Sequence, residues 1–222
     1  TTALETKFNG KASNIKISDV GGIEYFDGVE IVEIYKKIFI QSDVTIIANW
    51  ASNLKGNDLI KNVFSISKDT LRLLDCADIS TSLDRLPKLI DIINNKDLVD
   101  IISLNENECS VLSQYIGFKK LSKDYSIKEI KDAAKNLSEH LDLTIEIHTP
   151  LGSCSASNNN VQFVKSFEIQ PIMLTGAGDV WNAANVLGIK KEISTEKRLR
   201  FANACLLYTS PRPRDATLSR MP

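Results

Sequence analysis

Cysteine and histidine are scarce in this sequence, and neither is spaced for a disulfide framework or a structural metal site. The 222 residues include 4 cysteines and 2 histidines. The cysteines are Cys76, Cys109, Cys154 and Cys205. They form no Cys-x-x-Cys pair, and His140 and His148 are not at the i, i+4 spacing of a helical metal pair. Scattered cysteines are typical of reduced, buried thiols, so we expect a cytoplasmic protein.

An excess of positive charge and a long apolar run are also absent. The chain has 27 Lys and Arg against 28 Asp and Glu, a net charge of −1. Nucleic-acid surfaces need a basic patch, so we expect no nucleic-acid partner. No apolar run approaches the roughly 20 residues of a membrane span, so we expect no membrane partner. A hydrophobic content of 43% and the length are sufficient for an α/β domain with a sizeable core.

Short β-type apolar runs alternate with longer helical ones along the chain. The predicted strands are 14–18, 44–49, 70–75, 99–104, 143–149 and 161–168. The predicted helices are 29–39, 58–67, 83–94, 106–115, 127–140, 178–187 and 195–204. This alternation, with continuous apolar strands, favours an α/β fold with three α/β/α layers around a mainly parallel sheet.

Several single residues carry local predictions. Pro87 is expected in the first turn of its helix, because proline fits there. Residues 155–160 are interpreted as a loop, and Gly188 as the residue that ends its helix. Trp50 and Trp181 are interpreted as packing residues rather than as ligand platforms.

The most informative motif is Thr175-Gly176-Ala177-Gly178-Asp179, which opens a helical pattern. A glycine-rich turn at a helix start directs backbone N–H groups and the positive end of the helix dipole to one point, which suits an anion. A carboxylate beside a phosphate cradle is what phosphoryl transfer to an alcohol needs. Plain helix capping is the alternative explanation of the same pattern.

A second motif follows the apolar run 98–104, where Asn105 and Glu108 have Asn-x-x-Glu spacing. The carboxyl ends of strands are where open α/β sheets bind ligands, and these oxygen-bearing groups suit hydrated Mg²⁺ carrying phosphates. Asp75 and Asp78 follow another predicted strand. Proximity to phosphate or substrate and simple turn capping remain equally open for them.

Together the two motifs resemble the ribokinase family of carbohydrate kinases, also called the PfkB family. The resemblance implies that Asp179 is the catalytic base and that Gly176, Ala177 and Gly178 form an anion hole. It also implies that Asn105 and Glu108 organise Mg²⁺, through water. Four further residues are assigned to nucleotide binding on the same ground: Thr149, Gly152, Thr175 and Asn203.

The resemblance implies ATP-dependent phosphoryl transfer to a hydroxyl of a sugar, with Mg²⁺ and ATP required. A nucleoside kinase of the same fold, or a nucleotide-binding protein without catalysis, are the alternatives. A homodimer is compatible with either kinase. Met173 stands where many relatives have an aspartate that helps to hold a monovalent cation, so potassium activation is not expected.

The resemblance begins partway through the family pattern. Residues 1–204 are therefore expected to be part of a ribokinase-like domain that lacks roughly its N-terminal third, with a remnant of a β lid near residues 1–18. Residues 205–222 are expected to be a non-native tail, and a natural disordered tail that contains Pro and Arg is the alternative. Codons TGT CTC TTA TAC ACA TCT, from the adapter of transposase-based sequencing libraries, encode residues 205–210, and Ser219-Arg220-Met221-Pro222 matches the outer end of that adapter.

The tail generates a direct prediction. Resequencing the source DNA without a transposase should give a read in which the codons for residues 205–222 are replaced by other sequence. The adapter was never selected to pack beside the helix that contains Asn203. If the same codons persist in that read, the adapter interpretation is wrong.

Overall fold

The computed structural model describes residues 2–8, 11–17, 19–94, 97–168 and 175–208. Seven α-helices occur in this part of the chain, each overlapping a predicted one. They are α1 (Val29–Gln41), α2 (Gly56–Ile66), α3 (Leu86–Ile93), α4 (Glu106–Tyr115), α5 (Ile127–Leu141), α6 (Ala177–Lys190) and α7 (Thr195–Cys205). Short 3₁₀ helices occupy Gly21–Tyr25, Trp50–Ser52, Ile79–Ser82 and Leu206–Tyr208. Pro87 lies in the first turn of α3, as predicted.

Eight strands in the described ranges form two sheets. The strands are β1 (Thr2–Phe8), β2 (Lys11–Ile17), β3 (Val44–Ile47), β4 (Leu71–Asp75), β5 (Ile101–Asn105), β6 (Thr144–Thr149), β7 (Gly152–Ser157) and β8 (Asn160–Lys165). β1 and β2 pair antiparallel, and the other six strands follow the order β3-β4-β5-β6-β7-β8. β3 to β6 are parallel, while two-residue turns join β6 to β7 and β7 to β8. Such short turns allow only antiparallel pairing. The predicted α/β class with a mainly parallel sheet is confirmed.

Two local predictions are wrong. Residues 155–157, predicted as loop, belong to β7. This strand reads Gly-Ser-Cys-Ser-Ala-Ser, and its small polar residues hide the apolar pattern that marks most buried strands. Gly188 does not end its helix, because α6 continues to Lys190.

The chain forms two compact units. The first comprises Val20–Thr149 and Ser153–Phe163. Its core consists of apolar residues from β3–β6 and from α2–α5, including Ile102, Leu104, Ile145 and Ile147. Adjacent parallel strands need a crossover, and α2, α3 and the α4–α5 pair supply the three crossovers here.

The structure confirms that Trp50 is a packing residue. Its side chain is buried, and its indole Nε1 donates to Asn57 Oδ1 at 2.8 Å. The guanidinium of Arg85 lies 4.8 Å from the ring centroid, and its Nη2 donates to the carbonyl oxygen of Ala51 at 2.6 Å. Gly56 is required beside this cluster, since a Cβ there would lie 2.6 Å from Trp50 Cδ1.

The second unit comprises Thr1–Asp19, Pro150–Gly152 and Val164–Pro222. Within its described part, Trp181, Leu199 and Ala202 are fully buried where α6 packs on α7. A Cβ on Gly188 would lie 2.6 Å from the Cβ of Arg198, so this glycine allows the close approach of the two helices. No described helix has the length and apolar character needed to cross a membrane.

An ion pair links Arg72, in β4, to Asp100, the residue that precedes β5. Arg72 Nη2 donates to Asp100 Oδ1 at 2.8 Å, and Nε donates to Oδ2 at 2.9 Å. The backbone N–H of Arg72 also donates to Oδ2, and Nη1 donates to the carbonyl of Asp97. The Arg72 side chain is 8% exposed and that of Asp100 is 33% exposed, so removal of either partner leaves the other charge only partly hydrated.

We expect Arg72→Met to lower the free energy of unfolding by about 2–4 kcal/mol, since it strands the partly buried carboxylate of Asp100. Lys128→Met is the matched control, because Lys128 pairs with Asp132 at the surface, where ion pairs contribute about 0–1 kcal/mol. Urea unfolding of both variants measures the difference. Equal effects would show that the Arg72 pair is no more important than an exposed one.

Candidate functional site

Polar residues follow three neighbouring parallel strands at one edge of the sheet in the first unit. β4 ends at Asp75, β5 at Asn105 and β6 at Thr149. The register pairs Asp75 with Ser103 and Asn105 with His148, so these strand ends lie at similar heights. This is the edge at which open α/β sheets bind ligands.

Asn105 and Glu108 form a reciprocal capping box at the start of α4. Asn105 Oδ1 accepts from the backbone N–H groups of Asn107 and Glu108 at 2.9 and 3.0 Å. Glu108 Oε2 accepts from the backbone N–H of Asn105 at 2.9 Å, and Oε1 accepts from its Nδ2 at 2.6 Å. The two residues predicted to organise Mg²⁺ are therefore brought together, and both carboxylate oxygens are already hydrogen-bonded.

The Glu108 carboxyl lies in an apolar and negatively charged environment. The residue is 6% exposed, and burial raises the pKa of Glu108 to about 8. The backbone N–H of Asn105 lowers this pKa, whereas the charges of Asp75, Asp78 and Glu106 raise it. Burial and these charges therefore favour the neutral form of the Glu108 carboxyl, while the hydrogen bonds from Asn105 oppose this effect.

The side chains of Asp75 and Asp78 both accept hydrogen bonds from backbone N–H groups in the segment that follows β4. Asp75 Oδ1 accepts from the backbone N–H of Ala77 at 3.0 Å. Asp78 caps the next 3₁₀ helix, since its Oδ1 accepts from Ser80 N at 3.1 Å. Ala77 has a φ of 55°, a left-handed conformation that costs an alanine about 1 kcal/mol or more. The turn-capping explanation of both aspartates is thus observed, and their proximity to a ligand stays a prediction.

The thiol of Cys76 is buried within electrostatic range of Glu108 and Asp75. Burial raises its pKa well above the ordinary value, and the charges of Glu108 and Asp75 raise it further. The thiol is consequently neutral and unsuited to nucleophilic chemistry. Among the described residues, no group of three or more His, Cys, Asp and Glu side chains is arranged to hold a metal ion directly.

Thr149 has a neighbour that the sequence analysis did not single out. Its side chain is hydrogen-bonded to the hydroxyl of Tyr125. Burial and the charge of Glu106 raise the pKa of Tyr125 to about 12, so the phenol stays protonated. Burial also lowers the pKa of His148 to about 4, which keeps its imidazole neutral. No sequence motif marks Tyr125, because it lies in the connection between α4 and α5.

The second unit holds the glycine-rich motif. Gly176 is the N-cap of α6 and has a φ of 82°, in the left-handed region that glycine adopts without strain. Ala177, Gly178 and Asp179 are the first three helical residues, and Asp179 is exposed. Glycine has no side chain that could close this turn, so the N-cap residue supplies no capping bond. Residues 169–174, which include Met173 and the predicted approach to the motif, lie outside the described residues.

Gly152 and Asn203 also lie in the second unit. Gly152 begins β7 with a φ of 148°, where a glycine is favoured. Asn203 is buried, and its Oδ1 accepts from Trp181 Nε1 at 3.0 Å. Its Nδ2 donates to the carbonyls of Val164 and Lys165, both at 3.3 Å. The amide of Asn203 therefore joins α6, α7 and β8, and its assignment to a nucleotide pocket stays a prediction.

The predicted site residues are divided between the two units. Asn105, Glu108 and Thr149 belong to the first, while Gly152, Asn203 and the 175–179 motif belong to the second. Asn105 and Glu108 adjoin each other at the start of α4, and residues 177–179 begin α6, while their roles in binding and catalysis stay predictions. Their convergence on one phosphate stays a prediction. Only Cys205 to Tyr208 of the predicted tail are described, and α7 ends at Cys205.

Comparisons with solved structures reveal the fold. Adenosine kinase from Sinorhizobium meliloti is 18% identical with a TM-score of 0.64, over 83% of this chain and 56% of the kinase. Ribokinase from Thermotoga maritima is 15% identical with a TM-score of 0.64, over 98% of this chain and 69% of the ribokinase. An E. coli protein assigned as ribokinase II, in complex with ATP and Mg²⁺, is 17% identical with a TM-score of 0.60.

The chain has a ribokinase-like α/β fold. The matched region spans 56% of the length of both the adenosine kinase and the E. coli protein. The match with the E. coli protein covers 82% of this chain. No family model matches the chain, and no curated protein matches it by sequence. The shared fold rests on structure, since the identities of these three proteins are 15–18%.

The buried capping box generates a prediction about pH. The pKa of Glu108 in the folded protein, about 8, lies above its ordinary value of 4.5, so its contribution to stability is complete below pH 4.5 and is lost as the pH rises through 8. Glu108→Gln keeps a capping side chain that does not titrate. We expect the variant to lose less stability between pH 4.5 and 8 than the native chain, as measured by urea unfolding across this range.

Glu129→Gln is the matched control for this experiment. Ser126 and Glu129 form a second capping box at the start of α5, where hydrogen bonds from Ser126 and Ser122 lower the pKa of Glu129 to about 2. The stabilisation by Glu129 is present above pH 4.5 and is lost as the pH falls toward 2, so this variant should leave the change between pH 4.5 and 8 unaltered. Equal slopes for native chain and Glu108→Gln would contradict a raised pKa at Glu108.

Proposed function

We propose that this chain supplies the phosphoryl-transfer machinery of an ATP-dependent kinase whose acceptor is a hydroxyl of a sugar. The observation that supports it most is the start of α6, where left-handed Gly176 precedes an exposed Asp179 in the first helical turn. In a ribokinase-like fold, this arrangement suits a base next to an anion site.

Asp179 is proposed as the general base. Its carboxylate is exposed, so an acceptor hydroxyl can reach it. An ionised carboxylate is also favoured in the first turn of a helix, where the dipole is positive. Asp179 would accept the proton of the acceptor hydroxyl as the hydroxyl oxygen bonds to the γ-phosphorus of ATP. The bond from this phosphorus to ADP would break in the same step, and ADP would leave.

The amides of Gly176, Ala177 and Gly178 are proposed to stabilise the charge on the transferring phosphoryl group. Backbone N–H groups in the first turn of a helix have no partner one turn earlier, and they point along the helix axis. The positive φ of Gly176 sets the entry of the chain into this turn. A side chain at this position would be strained, which would alter the direction of these amides.

Asn105 and Glu108 are proposed to organise the metal indirectly. Bound ATP would supply the phosphoryl group, and Mg²⁺ would neutralise its charge. Glu108 is better suited to hold a water ligand of the metal than to bind the metal directly. Both of its carboxylate oxygens already accept hydrogen bonds from Asn105, and its pKa is raised. The nearby carboxylates of Asp75, Asp78 and Glu106 favour a cation, and water would connect it to the capping box. Thr149, Gly152, Thr175 and Asn203 remain the proposed nucleotide residues.

A nucleoside kinase of the same fold is the second candidate, because adenosine kinase is among the matching structures. A nucleotide-binding protein without catalysis is the third. The presence of Asp179 favours a kinase over this last alternative, since binding alone needs no base. Release of ADP with a panel of pentoses, hexoses and nucleosides separates the three, because only a kinase couples ADP release to acceptor phosphorylation.

In the chain, or in a longer natural version of it that shows activity, Asp179→Asn should lower kcat by about 10²–10⁴-fold. The Kd for ATP should change little, because the amide replaces the base without removing backbone donors. Steady-state kinetics and calorimetric titration with ATP measure the two quantities. Glu196→Gln is the control, since Glu196 pairs with Arg200 at the surface of α7. A near-native kcat in Asp179→Asn would exclude Asp179 as the base.

A further inference from the structure

Trp181 lies two residues after Asp179 in α6, and the two side chains occupy opposite sides of the helix. Successive residues of an α-helix are separated by about 100° around its axis, so this pair is separated by about 200°. Trp181 is 0% exposed, whereas Asp179 is exposed. Burial of the indole therefore determines that the proposed base faces outward from the core of the second unit.

The indole of Trp181 has a polar contact as well as apolar ones. Its Nε1 donates to Oδ1 of Asn203, in α7, at 3.0 Å. Apolar attraction has no preferred direction, whereas a hydrogen bond depends on both distance and angle. The bond therefore restricts the rotation of α6 more closely than packing alone would. The ring also packs in the small apolar core formed with Val164, Ala184, Leu199 and Ala202.

The acceptor of this hydrogen bond is itself held in one orientation. Asn203 is 5% exposed, and its Nδ2 donates to the carbonyl oxygens of Val164 and Lys165, both at 3.3 Å. The reversed amide would place Oδ1 against these two carbonyl oxygens and Nδ2 against the indole N–H, so only one orientation satisfies the three bonds. Asn203 thus connects the first turns of α6 to the end of β8.

We infer that Trp181 is a positioning residue for the first turn of α6. Its hydrogen bond to Asn203 holds Asp179 and the backbone amides of residues 176–178 in the orientation that phosphoryl transfer needs. The inference rests on the proposed function, because Trp181 itself contacts no reacting atom in this scheme. Position matters there, since a displacement of about 1 Å at a reacting group can lower the rate by about 10²-fold.

Trp181→Phe removes the indole N–H and keeps an aromatic ring in the core. We expect kcat to fall by about 10–100-fold, while the Kd for ATP changes little. Trp50→Phe is the matched control, because Trp50 is also buried and its Nε1 donates to Asn57 Oδ1 at 2.8 Å in the first unit. Its kcat should stay native. Steady-state kinetics and calorimetric titration with ATP give the two quantities, at a temperature well below the Tm of either variant.

A second variant separates the hydrogen bond from the packing. Benzothienylalanine in place of Trp181 keeps the bicyclic shape and has sulfur where the indole has N–H, so the core stays filled. It should lower kcat as much as Trp181→Phe does. This variant also decides the question if Trp181→Phe does not fold. A native kcat for the benzothienylalanine protein would overturn the inference.

Hydrogen exchange provides a measurement that needs no enzymatic activity. The N–H of Val180 donates to the carbonyl of Gly176 at 3.1 Å, so its exchange with deuterium reports on the first turn of α6. We expect exchange about 10-fold faster in both variants at position 181 and unchanged exchange in Trp50→Phe.

The outcomes distinguish this inference from the proposed function. Equal falls in kcat for Trp181→Phe and Trp50→Phe would overturn the inference, since they would show a general loss of stability. A higher Kd for ATP at native kcat would also overturn it, and would assign Trp181 to binding. If the native protein releases no ADP with any acceptor, the proposed function is wrong. The exchange of Val180 then decides by itself whether Trp181 positions this turn, and unchanged exchange would overturn that role.

Discussion

The hydrogen bonds between Asn105 and Glu108 fix the point at which β5 becomes α4. This reciprocal cap determines where the strand stops, how α4 leaves the sheet and which polar groups lie at the carboxyl edge. It also buries the Glu108 carboxyl beside Asp75, Asp78 and Glu106. Burial and these charges disfavour its ionised form, and the hydrogen bond from the backbone N–H of Asn105 partly offsets this cost. The same three hydrogen bonds that hold the start of the helix therefore contribute to the electrostatic character of the candidate site.

The motif Asn-x-x-Glu illustrates why a structural and a functional explanation need not compete. Its spacing is that of a capping box, and the structure shows both halves of that box. A capped carboxylate is held in one orientation, which is also what an outer metal shell requires. Asn203 is a comparable case. Its amide connects three elements of the second unit through Trp181, Val164 and Lys165, so any contribution to a nucleotide pocket would rely on an already fixed side chain.

Sequence periodicity was sufficient to predict the seven α-helices of the described residues and the parallel core, because these elements bury apolar residues at regular spacing. β7 was missed, since a strand of serine, cysteine, alanine and glycine has no apolar alternation to detect. Gly188 was misread as a helix end, because only the packing of α7 on α6 explains a glycine inside the helix. The motifs around Asn105 and Asp179 were found from their spacing, whereas Tyr125 was not. Its contact with Thr149 joins residues from distant parts of the chain.

The contact between Arg72 and Asp100 has a consequence for the order of folding. The two residues are 28 positions apart, and their pairing closes a loop that contains only α3 and its connections. The entropy of closing such a loop grows slowly with its length, so this closure costs little more than that of a much shorter loop. β4, α3 and β5 can therefore assemble from local contacts, before β6 joins the sheet across the longer segment that includes α4 and α5. Asp100 accepts three hydrogen bonds from Arg72, so one carboxylate holds the start of β5 beside β4 once these strands have met.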